Sequence, residues 1–157
     1  MKRTIEGEAL TALILETFRL NGVLLAAGNK LTKPMGMTSA RWQVMGAIDE
    51  WGQPLTVAQI ARRMGLARQG VQRIVNDLED KGLVTLEKNL DHKRSPFVTI
   101  SEAGYAVMIE IGKAQAAWVN ALAEGLSEQG IRDALRLLEI VRDRTEQTSV
   151  SNNGKRK

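Results

Sequence analysis

The stretch Leu55–Val84, "LTVAQIARRMGLARQGVQRIVNDLEDKGLV", holds two short helical patterns separated by a glycine. Val57, Ile60, Ala61 and Met64 fall on one face of the first, and Thr56 and Gln59 have the spacing of a capping box, in which a hydroxyl and an amide satisfy two free backbone donors. Gly65 is a C-terminal stop. In the second pattern Val71, Ile74, Val75 and Leu78 recur at i, i+3, i+4 and i+7, which leaves Gln69, Gln72, Arg73 and Asn76 on the opposite face. Two helices joined by so tight a turn predict a helix-turn-helix. From Trp51 to Asn76 there is no Asp or Glu, yet Arg62, Arg63, Arg68 and Arg73 all lie in that interval. Such a segment suits a surface that meets a polyanion.

C-terminal to this unit, "LVTLEKNLDHKRSPFVTIS" reads as two short strands around a polar hairpin, with Val98 and Ile100 alternating against Thr99 and with Pro96 at an edge or a loop end. N-terminal to it, Thr38 or Ser39 caps a helix whose stripe is Trp42, Met45 and Ile48 and which stops near "WGQP". Before that, Leu10, Leu13, Ile14, Phe18, Leu24 and Leu25 mark a long first helix, ended by a loop "GNKLTKPMGM". Two closing helices start at the candidate caps Ser101 and Ser127. The first carries Tyr105, Met108, Ile109 and Trp118, and the second Ile131, Leu135, Leu138 and Val141. The terminal helices hold more apolar face than one small lobe can cover, which predicts burial against a second copy.

The 157 residues suit one domain, and 43% hydrophobic with 25% charged residues is a globular composition. With no cysteine and a single histidine, His92, disulfides, thiol redox sensing and an ordinary structural zinc site are not expected. The N-terminal apolar run is interrupted by Glu6 and Glu8, with no cleavage site after it, and no unbroken run reaches the length of a membrane span, so the chain reads as cytoplasmic. The formal charge of +4 is concentrated: residues 55–97 carry 8 Lys or Arg against 5 Asp or Glu, while residues 98–157 carry 8 of each. One histidine, no cysteine and no apolar-set carboxylate pair leave few parts for acid-base or nucleophilic chemistry, and no enzyme activity or cofactor is expected.

An α-helix fits the major groove of DNA, where arginine donates twice to guanine and glutamine or asparagine bonds bidentately to adenine. Arg68 in the first turn, with Gln69, Gln72, Arg73 and Asn76, supplies those groups, and the acids Asp77, Glu79 and Asp80 fall in the second half of the helix. His92, Lys93 and Arg94 at the hairpin tip reach an adjacent minor groove or backbone, and Arg62 and Arg63 meet phosphates.

A long first helix, the helix-turn-helix, the boundary "DKGLV", the wing "DHKRS" running into "VTISEAG" and two closing helices together resemble the MarR family of bacterial transcription regulators, over Leu10 to Arg144. Two departures stand out. The serine cap common at the start of the family's recognition helix is Ala67 here, so the cap comes from elsewhere or is missing. The family's Asp-x-Arg in the wing becomes Asp91, His92, Lys93 and Arg94, leaving Lys93 or Arg94 in the arginine's place; counting back from "TIS" favours Arg94.

The expected fold is therefore mainly α with a small β-hairpin wing, a winged helix-turn-helix flanked by N- and C-terminal dimerisation helices. Residues 1–150 form a single domain, with the DNA-binding lobe at 38–100, dimerisation helices at 1–37 and 101–150, and a disordered basic tail at 151–157. The resemblance implies a homodimeric regulator of double-stranded DNA that represses a pseudo-palindromic operator. It also implies a small lipophilic or aromatic effector, for which Trp42, Met45, Tyr105 and Met108 are the candidate lining, with plain core packing as the competing role of these four. The rival function is a winged-helix protein-interaction module that does not read DNA, and it predicts an apolar recognition face.

Overall fold

A computed structural model describes residues 2–153, and side chains through Thr148. Six α-helices and one small sheet follow in the order α1 Ile5–Thr32, α2 Ser39–Trp51, β1 Leu55–Thr56, α3 Val57–Met64, α4 Arg68–Asp80, β2 Val84–Glu87, β3 Phe97–Ile100, α5 Glu102–Ala123 and α6 Glu128–Asn153. Residues 1–115 and 116–157 form two compact units, and α5 crosses the boundary between them.

Within the first unit the helix starts follow the local chemistry of the sequence. The Thr38 hydroxyl accepts from the Arg41 N–H at 3.3 Å to cap α2. At α3 the full capping box forms: Thr56 Oγ1 accepts from the Gln59 N–H at 3.3 Å, and Gln59 Oε1 accepts from the Thr56 N–H at 2.8 Å. Gly65, at φ 62°, takes the left-handed conformation that ends α3 and allows α4 to start three residues later. Helix α4 has no side-chain cap, since Ala67 occupies the cap position.

The loop expected at "GNKLT" is instead the last turn and a half of α1, followed by a short 3-10 turn at Lys33–Met35. Gly28 and Asn29 look like turn residues but serve a helix contact. A Cβ on Gly28 would lie 2.7 Å from Ser39 Oγ, so the glycine permits a close approach of α1 to the start of α2. Asn29 Oδ1 accepts from the Ser39 N–H at 2.8 Å, satisfying one free donor of α2.

The sheet has one more strand than the sequence pattern indicates. β3 is its centre, antiparallel to β2 (Val84 opposite Ile100, Leu86 opposite Val98) and to the two-residue β1 (Leu55 opposite Val98, Thr56 opposite Phe97). Thr56 is thus both a strand partner and the α3 cap, which ties the helix start to the base of the wing. Pro96 sits at the loop end immediately before β3, where it costs no ladder bond.

Val44, Met45, Ile60, Val71, Val75, Leu78, Val98 and Ile111 are wholly buried and form the core of the first unit. The stripes of α2, α3 and α4 meet there, with β3 and one turn of α5 closing it. Two surfaces remain open. Phe18, Val23 and Ile5 of α1 are exposed, and α1 with its 3-10 turn is long and apolar enough, by length and composition alone, to cross a membrane. In the second unit, Ile131, Leu135, Leu137, Leu138 and Ile140 of α6 are exposed, and no described residue of α6 is buried. Helix α6 runs to Asn153, into the tail expected to be disordered from 151; residues 154–157, with Lys155, Arg156 and Lys157, lie outside the described residues.

Candidate nucleic-acid interface

Because Val71, Val75 and Leu78 fix one face of α4 in the core, the rotation of the helix is decided and Arg68, Gln69, Arg73 and Asn76 are exposed. Gln72 is half-buried. Its amide nitrogen donates to Asn76 Oδ1 at 2.8 Å, so these two groups form a joined pair. The Gln72 oxygen and the Asn76 amide hydrogens keep their bonding capacity outside this pair. The absence of a side-chain cap at Ala67 leaves the first-turn N–H groups of α4 open as well.

Opposite the start of α4 stands the wing tip. A cleft of about 540 Å³ is lined by Ala58 of α3, Arg68 of α4 and Asp91, His92, Lys93, Arg94 and Ser95 of the wing. Residues separated by more than twenty positions in the chain therefore share one basic cleft. The loop is held by Asn89, which is buried at 6% exposure. Its side-chain oxygen accepts from the N–H groups of Asp91 (3.1 Å) and His92 (3.2 Å), and its nitrogen donates to the Ser95 carbonyl at 3.0 Å. Nothing in the hairpin pattern singled Asn89 out. The available signal was an asparagine two residues before a turn, the usual position for a side chain that organises it.

The electrostatics favour an anion. Arg62, Arg63, Arg68, Arg73, Lys93 and Arg94 enter none of the ion pairs among the described residues. Asp77, the first acid after the acid-free stretch, is neutralised by the Arg41 guanidinium, which reaches across from α2 and also donates to the Gly36 carbonyl at 3.3 Å. Arg41 was not anticipated, because its partner lies 36 residues away. Arg63 behaves differently from its neighbour Arg62. Its guanidinium stacks on Trp51 with the carbon 3.4 Å from a ring centroid, which fixes where that charge sits.

The four candidate effector residues differ in exposure. Met45 is wholly buried in the core, and Trp42 and Met108 are half-buried against it. Tyr105, half-exposed, lines a cavity of about 180 Å³ with Ile48, Gly52, Gln53, Pro54, Thr99 and Ile100. For Met45 the apolar stripe of α2 is core packing, since α2 carries its stripe directly onto α3, α4 and β3.

The model of the MarR family matches residues 35–95, from the turn after α1 through the wing tip and short of β3. An uncharacterized protein of Mycobacterium tuberculosis is 37% identical over 133 residues, covering 83% of this chain and 92% of that protein. The chain belongs to the MarR family. MarR-family proteins are DNA-binding transcription regulators with a winged helix, and this chain is of that class. Among solved structures, a mutant MarR from E. coli complexed with operator DNA superposes with a TM-score of 0.73 at 18% identity, covering 88% of this chain and 99% of that one. CouR from Rhodococcus jostii, bound to p-coumaroyl-CoA, gives a TM-score of 0.70 at 22% identity over 78% of this chain and 86% of its own. At such identities these structures speak for the fold.

Proposed function

We propose that this MarR-family chain is a homodimeric cytoplasmic repressor that places one α4 in each of two major grooves of a pseudo-palindromic operator. The observation that carries this reading is the single basic surface formed by two separate parts of the chain. Arg68, Gln69, Arg73 and Asn76 are exposed on α4, and Arg68 shares a cleft with His92, Lys93 and Arg94 of the wing. The one acid near the middle of α4 is already paired. Arg68, Gln69, Gln72, Arg73 and Asn76 read base edges in this proposal; Arg62, Arg63, Lys93 and Arg94 contact the backbone, with His92 beside them at the wing. The rival, a protein-interaction module, needs an apolar recognition face, and the exposed face of α4 is polar and basic.

Dimerisation is assigned to residues 1–37 and 101–150, with 38–100 as the DNA-binding lobe, because α1 and α6 each carry exposed apolar residues among the described ones. A two-fold dimer presents two recognition helices, so its half-sites lie about 34–36 Å apart or a multiple of that. The CoA thioester bound by CouR supports a small-molecule effector for this chain too, of lipophilic or aromatic character. Tyr105, beside its cavity, is the candidate contact that keeps an accessible surface.

Selection of bound duplexes from a random pool tests the reading. Enrichment of an inverted repeat with half-sites one or more helical turns apart is the expected result. Failure to enrich any duplex refutes DNA binding, and enrichment of a lone half-site refutes the paired-helix geometry.

A further inference from the structure

Leu90 is the most exposed large hydrophobic residue described, at 90%. It stands in the wing loop, where Lys88, Lys93 and Arg94 are the cations, against Asp91 in the loop and Glu87 at the end of β2. We propose that Leu90 is an apolar contact to the sugar walls and floor of the DNA minor groove, presented there by Asn89. This inference rests on the DNA-binding reading above and adds to it a residue and a type of contact.

The loop offers Leu90 outward by construction. Asn89 is buried and bonds to the backbone on the far side of Leu90, at Asp91, His92 and Ser95. Leu90 lies inside this bracket and makes none of its bonds, and the same holds for the cations Lys93 and Arg94. Covering Leu90 costs little backbone freedom, because Asn89 already holds the loop around it.

The occupant follows from the chemistry around it. A protein surface covering Leu90 would also have to desolvate Lys88, Lys93 and Arg94 or match each with a carboxylate. The minor groove meets both demands. Its two phosphate rails take the cations, while the deoxyribose faces between them are the least polar part of the duplex, in a groove about 6 Å wide that other proteins enter with apolar side chains. Leu86 and Pro96 lie beside Leu90 in a cavity of about 400 Å³ that Glu87, Lys88, Asn89 and Lys93 also line.

An apolar contact and a phosphate contact differ in their salt dependence, since only the second releases counterions. The experiment is a titration of a selected duplex by fluorescence anisotropy at several salt concentrations, with the full chain and its Leu90→Ser, Leu90→Met and Arg94→Ala variants. Covering a leucine side chain implies that Leu90→Ser binds about tenfold more weakly at every salt concentration. Its slope against salt should equal that of the wild type, with Leu90→Met close to wild type. Arg94→Ala should instead lower the slope by about one unit. Asn89→Ala should cost less in the Leu90→Ser background than alone, as expected of a residue acting through its neighbour.

Wild-type affinity in Leu90→Ser overturns the inference while leaving DNA binding intact. A loss accompanied by a shift from dimer to monomer in sedimentation overturns it in favour of a second copy as the occupant. If the wild-type chain binds no duplex, the DNA-binding reading falls and this inference with it.

Discussion

Gly104, in the first turn of α5, is where the sequence has the least freedom, and replacing it by alanine gives a prediction whose size follows from the geometry. A Cβ at this position would lie 2.1 Å from the Leu83 carbonyl oxygen and 2.8 Å from Ile100 Cγ2, both far inside contact distance. The Leu83 oxygen cannot simply move away. It accepts the Ser101 N–H at 3.0 Å, and the Ser101 hydroxyl donates to the adjacent Gly82 carbonyl at 2.6 Å while accepting from the Gly104 N–H at 3.0 Å. Relieving the clash therefore strains or breaks this small network.

Overpacking a well-packed site costs about 1–3 kcal/mol, and a weakened backbone hydrogen bond adds about 0.5–1.5 kcal/mol. Alanine is a better helix former than glycine by about 1 kcal/mol, which offsets part of the loss. Gly104→Ala should thus destabilise the fold by about 1–3 kcal/mol net. Gly46→Ala, in the middle of α2 where a Cβ meets nothing within 4 Å, isolates the propensity effect and should stabilise by up to about 1 kcal/mol. Urea unfolding of both variants and the wild type at one protomer concentration measures the two shifts, since the stability of the proposed dimer would depend on concentration. If Gly104→Ala matches Gly46→Ala in sign, the close approach of α5 to the Gly82–Leu83 turn is not what the structure describes.

Thr56→Ala removes the hydroxyl half of the α3 capping box, keeping the bond from the residue-56 backbone N–H to Gln59 Oε1, and should lower stability by about 1 kcal/mol in the same unfolding assay; no change would mean that the Gln59 half alone suffices. Arg41→Ala leaves Asp77 unpaired on the recognition helix, so operator affinity should fall several-fold and recover in part in the Arg41→Ala, Asp77→Asn double variant. Absence of recovery would show that Arg41 acts through packing alone. Arg73→Ala should cost about 1–3 kcal/mol on the operator and relax preference at particular base positions, measured by repeating the duplex selection with the variant. Unchanged selectivity in both Arg68→Ala and Arg73→Ala would reduce the acid-free stretch to a solvated surface.

Much of this molecule was legible locally. The Thr56 and Gln59 box, the Gly65 stop, the buried stripe of α4 and the caps at Ser101 and Ser127 all depend on residues within four or five positions of each other, and each formed as the spacing implied. Helical periodicity alone placed Gln69, Arg73 and Asn76 opposite the core. The absence of Asp and Glu from Trp51 to Asn76 needs no structure to be seen.

Other features depended on partners distant in the chain. "GNKLT" has the composition of a turn, and only the contact with Ser39 makes Gly28 and Asn29 part of a helix. β1 is two residues long, too short for alternation to reveal, and exists because β3 offers it a ladder. Met45 and Tyr105 are both apolar residues on helical stripes, yet packing buries one completely and leaves the other beside a cavity. Asp77 is an unfavourable charge in the sequence and a neutralised one in the fold. The division has one physical cause: hydrogen bonds of caps and turns are settled among near neighbours, so their residue types can be read directly. Burial, close approach and charge pairing are settled only when separate segments meet, and a periodic pattern specifies that a face will be covered without specifying by what.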